Sequence, residues 1–426
     1  MKKIYLLAAV VSASMLSARA EVTVTLSEIN DNCQLMGEAM SPNGKYVVGA
    51  NYATFAPFAW DVENNQYYDY TDAEEGATFH AASNNGVFVG ESDFHAICAT
   101  PGGEIQVLWF NEGEQMYNEE FDFWYTTGDA GASAFAVTAD GETIFGFYYD
   151  QSYYTTPCYW RNGERVDLPL PTAEEVGFEI GGGEVRWCTP DGKLLLGFLM
   201  DNYSTWPACV WRMNEDGSYT CDPICKDYFE ADYGMGKPYM LFCPYGMSEN
   251  GEWASISLQA EFDAFNWADP TPIQMARMNL TTGELQVLGE ELDQTTIPGC
   301  IANDGSMFYI LNALMGIVGR EAYYWPAGAD HGIAFEELIG GPVEELEGLL
   351  CNTPCAMTAD GKTIQGFGMT EEADIFTYVL SLGEVVSLNE MAAVKAVKIC
   401  NLQGEVLDAI GAPGVYVVDG RKVLIR

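Results

Sequence analysis

Thr138-Ala139-Asp140-Gly141, followed by Thr143-Ile144-Phe145-Gly146, reads as a tight turn opening onto a short β-rich run that closes on glycine. Asp-Gly is a favoured hairpin turn because both residues tolerate positive φ. One such turn says little, but the signature recurs. It reads Ser41-Pro42-Asn43-Gly44, Ser83-Asn84-Asn85-Gly86 and Thr189-Pro190-Asp191-Gly192, then Ser248-Glu249-Asn250-Gly251, Ala302-Asn303-Asp304-Gly305 and Thr358-Ala359-Asp360-Gly361. Successive turn glycines stand 42, 55, 51, 59, 54 and 56 residues apart. Spacing of this kind marks a repeat architecture.

The flanking sequence repeats as well. Tyr46-Val47-Val48-Gly49, Leu194-Leu195-Leu196-Gly197 and Thr363-Ile364-Gln365-Gly366 match the run after the turn, whereas Ala254-Ser255-Ile256-Ser257 and Met307-Phe308-Tyr309-Ile310 lack its glycine. A polar or aromatic loop follows, then a third strand with period-two alternation. One column of that strand holds Trp60, Cys98, Trp160, Trp211, Met278, Trp325 and Tyr378. Two residues earlier, on the same face, stand Phe58, Ala96, Cys158, Cys209, Ala276, Tyr323 and Phe376. A second turn, such as Asn162-Gly163, leads to a fourth strand such as Arg165-Val166-Asp167-Leu168. Four strands in each of seven units predict an all-β, seven-bladed β-propeller over residues 21–382, its apolar columns wedged between blades. Val22 to Leu26 could supply the outer strand of the last blade; Val385 to Leu388 competes for that place.

The units resemble those of the bacterial extracellular HAF-repeat family and, more distantly, TolB-type and WD40-like propeller repeats. The resemblance rests on the S/T-x-N/D-G turn, the run ending in Gly, and a later aromatic such as Ala59-Trp60 or Tyr159-Trp160, and it covers most of residues 38–382. It implies architecture and is nearly silent on activity. A sialidase pattern does not fit, since an aspartate box carries one more residue between Asp and Gly.

The chain ends complete the organisation. Lys2 and Lys3, the apolar run Ile4 to Leu16 and the small-x-small Ala18-Arg19-Ala20 read as a signal peptide over residues 1–20, with Glu21 as the expected mature start. No later stretch reaches the ~20 apolar residues of a spanning helix. Residues 383–394 read as a linker. Residues 395–426 hold two or three strands and an Asp419-Gly420 hairpin turn. This tail resembles a short C-terminal sorting domain of type IX secretion, through Asn401-Leu402-Gln403-Gly404, Gly414-Val415-Tyr416 and the Lys/Arg-ended last strand. That resemblance implies the secretion machinery as a partner and a secreted or surface-displayed protein, with the periplasm as alternative.

Composition bounds the chemistry. With 62 acidic against 19 basic residues the formal net charge is -43, which repels phosphate backbones and argues against nucleic acid. The same field suits cations and neutral or basic partners. The sequence contains no G-x-S-x-G, H-E-x-x-H, phosphate-binding or EF-hand pattern, and its three histidines, His80, His95 and His331, read as structural. Gly181-Gly182-Gly183 reads as a loop between blades. No cofactor is expected, calcium being the one ion the acidic residues could recruit. The 12 cysteines permit disulfides in an exported chain, and about half are expected as buried thiols.

Propellers bind ligands on the face made by strand-two-to-three loops and blade-to-blade connections. Here those loops carry Tyr52 and Phe55, Tyr153 and Tyr154, Tyr203 and Trp206, and Phe265 and Trp267, with Phe121, Phe123, Trp124 and Tyr125 in one connection. Exposed rings beside Asn, Asp and Ser suit sugar stacking or protein anchoring. The leading expectation is a non-enzymatic protein binding a glycan or a protein ligand. The alternatives are a hydrolase or lyase using acidic residues at the central channel, and a structural surface module. Carboxylates from different blades converging with a basic residue at the channel would favour the enzyme. An exposed aromatic shelf would favour the binder.

Overall fold

The computed structural model describes residues 22–28, 33–74, 76–118, 123–151, 154–177, 179–201, 207–224, 239–260, 273–288, 296–311, 318–335, 346, 349–382, 399–400, 406–407, 414–418 and 421–425. They are all-β apart from short helical segments, among them Ala173–Val176, closed by a capping box between Thr172 and Glu175.

The strands form successive antiparallel meanders. The first sheet runs Leu35–Met40, Tyr46–Asn51, Ala56–Asp61, Gln66–Asp69, and the second Thr78–Ala82, Phe88–Ser92, His95–Ala99, Gln106–Val107. The third runs from Gly131–Val137 to Glu164–Asp167 and the fourth from Ile180–Cys188 to Tyr219–Asp222. A parallel bridge between Thr155 and Gly182 joins these two meanders into one eight-stranded sheet, and each meander is numbered as a sheet of its own. The fifth and sixth span Tyr239–Met247 to Leu285–Val287 and Ile297–Ile301 to Ile333–Ala334. The seventh joins Cys351–Met357, Thr363–Met369 and Ile375–Leu382, and Val22–Leu26 pairs antiparallel on its outer edge. The N-terminal candidate for the closing strand therefore takes that place; Val385 to Leu388 lies outside the described residues. The tail forms a separate small sheet of Ile399–Cys400, Val406–Leu407, Gly414–Val418 and Arg421–Ile425.

The first strand of each sheet packs on the preceding sheet, and Leu35–Met40 packs on the seventh. Apolar clusters fill the spaces between sheets. Tyr46, Val48, Phe79 and Phe88 join the first and second, and Phe308, Tyr324, Ile364 and Tyr378 the sixth and seventh. Trp60, Trp211, Trp325 and Tyr378 of the third-strand column are fully buried. Each tryptophan N–H still finds an acceptor, for example Pro169 O at 2.7 Å from Trp211 Nε1. Burying the ring while pairing its donor makes the column core rather than surface. Thr377 Oγ1 donates to Leu35 O at 2.7 Å and accepts from Gly37 N, which ties the seventh sheet to the first.

The repeated turn has a physical basis. Thr138 Oγ1 donates to Asp140 Oδ1 at 2.6 Å and accepts from Thr143 N, while Asp140 Oδ1 accepts from Glu142 N. The same net of bonds recurs at Ser41, Thr189, Ser248 and Thr358, and in a turn one residue shorter Ser83 donates to Asn85 and accepts from Val87 N. In the sixth copy Ala302 has no hydroxyl, and Ser306 bonds Asp304 instead. Gly141 sits at φ 75°, where a side chain would be strained. Neighbouring turns also touch: Asn84 N donates to Ala139 O, and Ala139 N to Pro190 O.

One expectation is corrected. Gly181-Gly182-Gly183 lies inside the strand Ile180–Cys188, not in a loop. Gly182, at φ 145°, pairs with Thr155 of the third sheet, and a Cβ there would lie 2.3 Å from Thr155 O. The glycines permit two sheets to approach backbone to backbone.

Candidate functional site

Every first strand slips register shortly before its turn. The shifts fall between Gly37 and Ala39, Phe79 and Ala81, Ala134 and Ala136, and Val185 and Trp187. They continue between Pro244 and Gly246, Pro298 and Ile301, and Pro354 and Ala356. A bulge leaves a residue outside the ladder and re-aims its side chain. The residues so released are Glu38, His80, Phe135, Arg186, Tyr245 and Cys355, with Cys300 in the wider sixth bulge. All of them line one cavity of about 640 Å³ between the first strands.

The glycine closing the second-strand run is the counterpart of the bulge. A Cβ on Gly197 would lie 1.8 Å from Glu184 O, and one on Gly90 1.9 Å from Thr78 O. The bulged backbone folds over the partner strand and leaves no room for a side chain.

The cavity wall has two chemistries. On the side of the first four sheets it is polar and charged. His80 Nδ1 lies 3.0 Å from Glu38 Oε2, and His80 Nε2 lies 3.9 Å from Glu91 Oε1. Nε2 is buried and makes no hydrogen bond. Glu91 accepts from Ser133 Oγ of the third sheet, and Glu38 from Thr78 Oγ1 at 3.4 Å. His80 stacks on Phe135 with centroids 4.3 Å apart and planes 13° apart. The Arg186 guanidinium carbon lies 3.6 Å from the Phe135 centroid, and Arg186 Nε donates to Glu184 Oε2 at 2.9 Å. Phe135 thus stands between the His80 ring and the Arg186 guanidinium in the order of the sheets, and its π face favours the cation. On the side of the fifth to seventh sheets the wall carries Cys243, Tyr245, Cys300 and Cys355.

Environment fixes the charges. Burial alone would push the His80 pKa down, but the hydrogen bond to Glu38 and the facing Glu91 carboxylate hold it above its ordinary value. The facing His80 ring holds Glu91 below the usual carboxylate range. Burial raises Glu184 against the pull of Arg186. Cys243 and Cys300 are pushed by burial up to about 12, so both thiols are uncharged at neutral pH. Glu249, at the turn end of the cavity, accepts from Ala359 N at 3.1 Å and is pushed by burial up to about 7.

The residues expected from the sequence stand elsewhere. Tyr52, Phe55 and Tyr154 are 41, 55 and 54 % exposed, follow the second strands of their sheets, and do not line the cavity. Phe94, in the equivalent loop of the second sheet, is also exposed. Tyr153, Tyr203, Trp206, Phe265 and Trp267 lie outside the described residues. The connection with Phe123, Trp124 and Tyr125 forms a hairpin, Gln115–Asn118 paired with Phe123–Thr126. Of the histidines, His80 belongs to the cavity, whereas His95 and His331 do not line it. The sequence did carry a signal for this ring. Glu38, His80, Phe135, Arg186, Tyr245 and Cys355 each stand three residues before the turn hydroxyl.

Ten cysteines are free among the described residues, Cys351 and Cys355 among them. No group of three or more His, Cys, Asp and Glu that could hold a metal occurs among them, and no helix there is long and apolar enough to cross a membrane.

No family model matches the chain, and no curated protein does. Among solved structures it is similar to an oligogalacturonate lyase in complex with manganese, at 12% identity over 85% of this chain and 97% of that one, TM-score 0.49. It is also similar to a putative TolB from Agrobacterium tumefaciens, at 14% identity over 61% and 82%, TM-score 0.37. TolB from Acinetobacter baumannii matches at 11% identity over 88% and 83%, TM-score 0.35.

Proposed function

We propose that the chain is an exported, closed seven-bladed β-propeller that binds a small ligand bearing an ammonium or guanidinium group in its central cavity. The observation that carries this reading is that Glu38 and Glu184, from two different sheets, line a cavity of about 640 Å³, with Glu91 3.9 Å from the His80 ring that lines it too. Arg186 is already paired with Glu184, which leaves His80 as the counter-charge shared by Glu38 and Glu91. The cavity therefore carries a surplus of carboxylate at neutral pH, inside a chain of net charge -43. Carboxylates in a recess with low-dielectric walls focus that field and concentrate cations.

The same convergence supports the hydrolase or lyase alternative. Binding is the better reading because both basic groups are engaged by carboxylates and His80 Nε2 is buried, so neither stands open to take a proton from a substrate. Calorimetric titration with spermidine, a lysine-ended peptide, citrate and a neutral oligosaccharide tests the proposal. The first two are expected to bind, with affinity lost in the Glu38→Gln/Glu91→Gln double variant. Binding of citrate alone, or of none of the four, would sink it.

A second reading places a glycan or protein on the loop face, supported by the exposed rings of Tyr52, Phe55 and Tyr154. It predicts oligosaccharide or protein binding that Phe55→Ala/Tyr154→Ala abolishes and Glu38→Gln leaves intact. The tail sheet is proposed as a type IX sorting signal to the outer surface, with the periplasm as the alternative destination. Deleting residues 395–426 and fractionating the cells tests it, retention in the periplasm being the expected result.

A further inference from the structure

His80 occupies an unusual place for a titratable group. Glu38 reaches its Nδ1 from the first sheet, Glu91 approaches its Nε2 from its own sheet, and Phe135 of the third covers a face. Beyond Phe135 lie the paired Arg186 and Glu184 of the fourth sheet, and the thiols and Tyr245 across the cavity are neutral. Its ring is thus bracketed by two carboxylates, of which Glu38 lines the cavity that an incoming cation would enter. Nε2 has no hydrogen bond at 3.9 Å from Glu91, so the bracket is complete only when that nitrogen carries a proton and the carboxylate closes on it.

We infer that the proton on His80 is the resident counter-ion of the ligand site and leaves when the ligand's positive group arrives. This rests on the cavity being the ligand site. With His80 protonated, its one positive charge leaves the Glu38, His80 and Glu91 group with a single negative charge. With His80 neutral the group carries two, that of Glu38 at the cavity wall. The ligand's ammonium then takes over the charge that the imidazolium supplied, and one proton passes to solvent for each ligand bound. Proton and ligand compete, so affinity falls as pH drops below the His80 titration, by about tenfold per pH unit for one linked proton. The device also sets a direction: ligand is captured near neutral pH and released in acid.

The experiment is spermidine titration of the whole chain at pH 6.5 in two buffers of different ionisation enthalpy, repeated from pH 5.5 to 8.5. The expected result is release approaching one proton per bound ligand below the His80 titration, and markedly less in His80→Gln, whose remaining pH dependence is that of Glu249. In the unsubstituted protein, the imidazole carbon-bound proton resonance of His80 should titrate at lower pH once spermidine saturates the site. That measurement needs no variant. Heat of binding with no proton release at any pH, or a His80 midpoint that spermidine leaves unmoved, overturns the inference. Absence of any binding heat is a different result, and overturns the cavity reading itself together with this one.

Discussion

Gly197 shows how one residue ties sequence to site. Its missing Cβ admits the bulged carbonyl of Glu184, and the bulge in turn presents Arg186 to the cavity. Gly197→Ala therefore forces strand two away from strand one, and overpacking of this kind costs about 1–3 kcal/mol or more. Gly163→Ala is the control: nothing lies within 4 Å of its Cβ position, and only its φ of 81° is penalised. Chemical denaturation is expected to rank Gly197→Ala well below Gly163→Ala. Glu249 gives a second prediction at this scale. Its pKa in the fold, about 7, stands above the ordinary 4.5, so the folded state holds this proton more tightly than the unfolded state does. Stability should thus fall as pH rises from about 4.5 to about 7, and level off above. Glu249→Gln is expected to remove that slope in thermal melts taken across the window. The His80 contribution has the opposite chemical origin but the same sign: the stabilisation is present below pH 6.5 and is lost as pH rises through the elevated folded value. Residue by residue, the turn was fully legible, because Ser or Thr, Asn or Asp, and Gly each answer a local backbone demand. The ring of Glu38, His80 and Arg186 was not, because nothing local in Gly37-Glu38-Ala39 or Val185-Arg186-Trp187 shows that a strand will slip register there.

Among the elements, the third strands were the easiest to read. Their alternation placed Trp211 and Cys209 on one buried face, and both are fully covered between the third and fourth sheets. Trp211→Ala should cost about 3–5 kcal/mol by opening a cavity, and would also leave Pro169 O without its donor. The first strands were harder. Ile180–Cys188 was hidden by its three glycines, because glycine in a strand weakens the alternation that identifies one. The strand Val22–Leu26 was legible as a strand, while its partner depended on contacts between residues at opposite ends of the chain. A chain beginning at Ser27 should expose the edge of the seventh sheet. It is expected to melt at lower temperature and to self-associate in size-exclusion chromatography, since an unpaired edge recruits other strands.

At the scale of the whole molecule, charge and topology act on different properties. A net charge of -43 opposes compaction and favours cations, and salt screens both effects. Raising sodium chloride from 10 to 300 mM is expected to raise the melting temperature while weakening spermidine binding. An affinity indifferent to salt would mean that the cavity carboxylates do not hold the ligand. Topology governs how the molecule is completed. Val22–Leu26, near the start of the chain, lies against Ile375–Leu382, which is synthesised some 350 residues later. An emerging chain can therefore assemble its sheets one after another, yet the seventh keeps a bare flank until two distant parts of the chain meet.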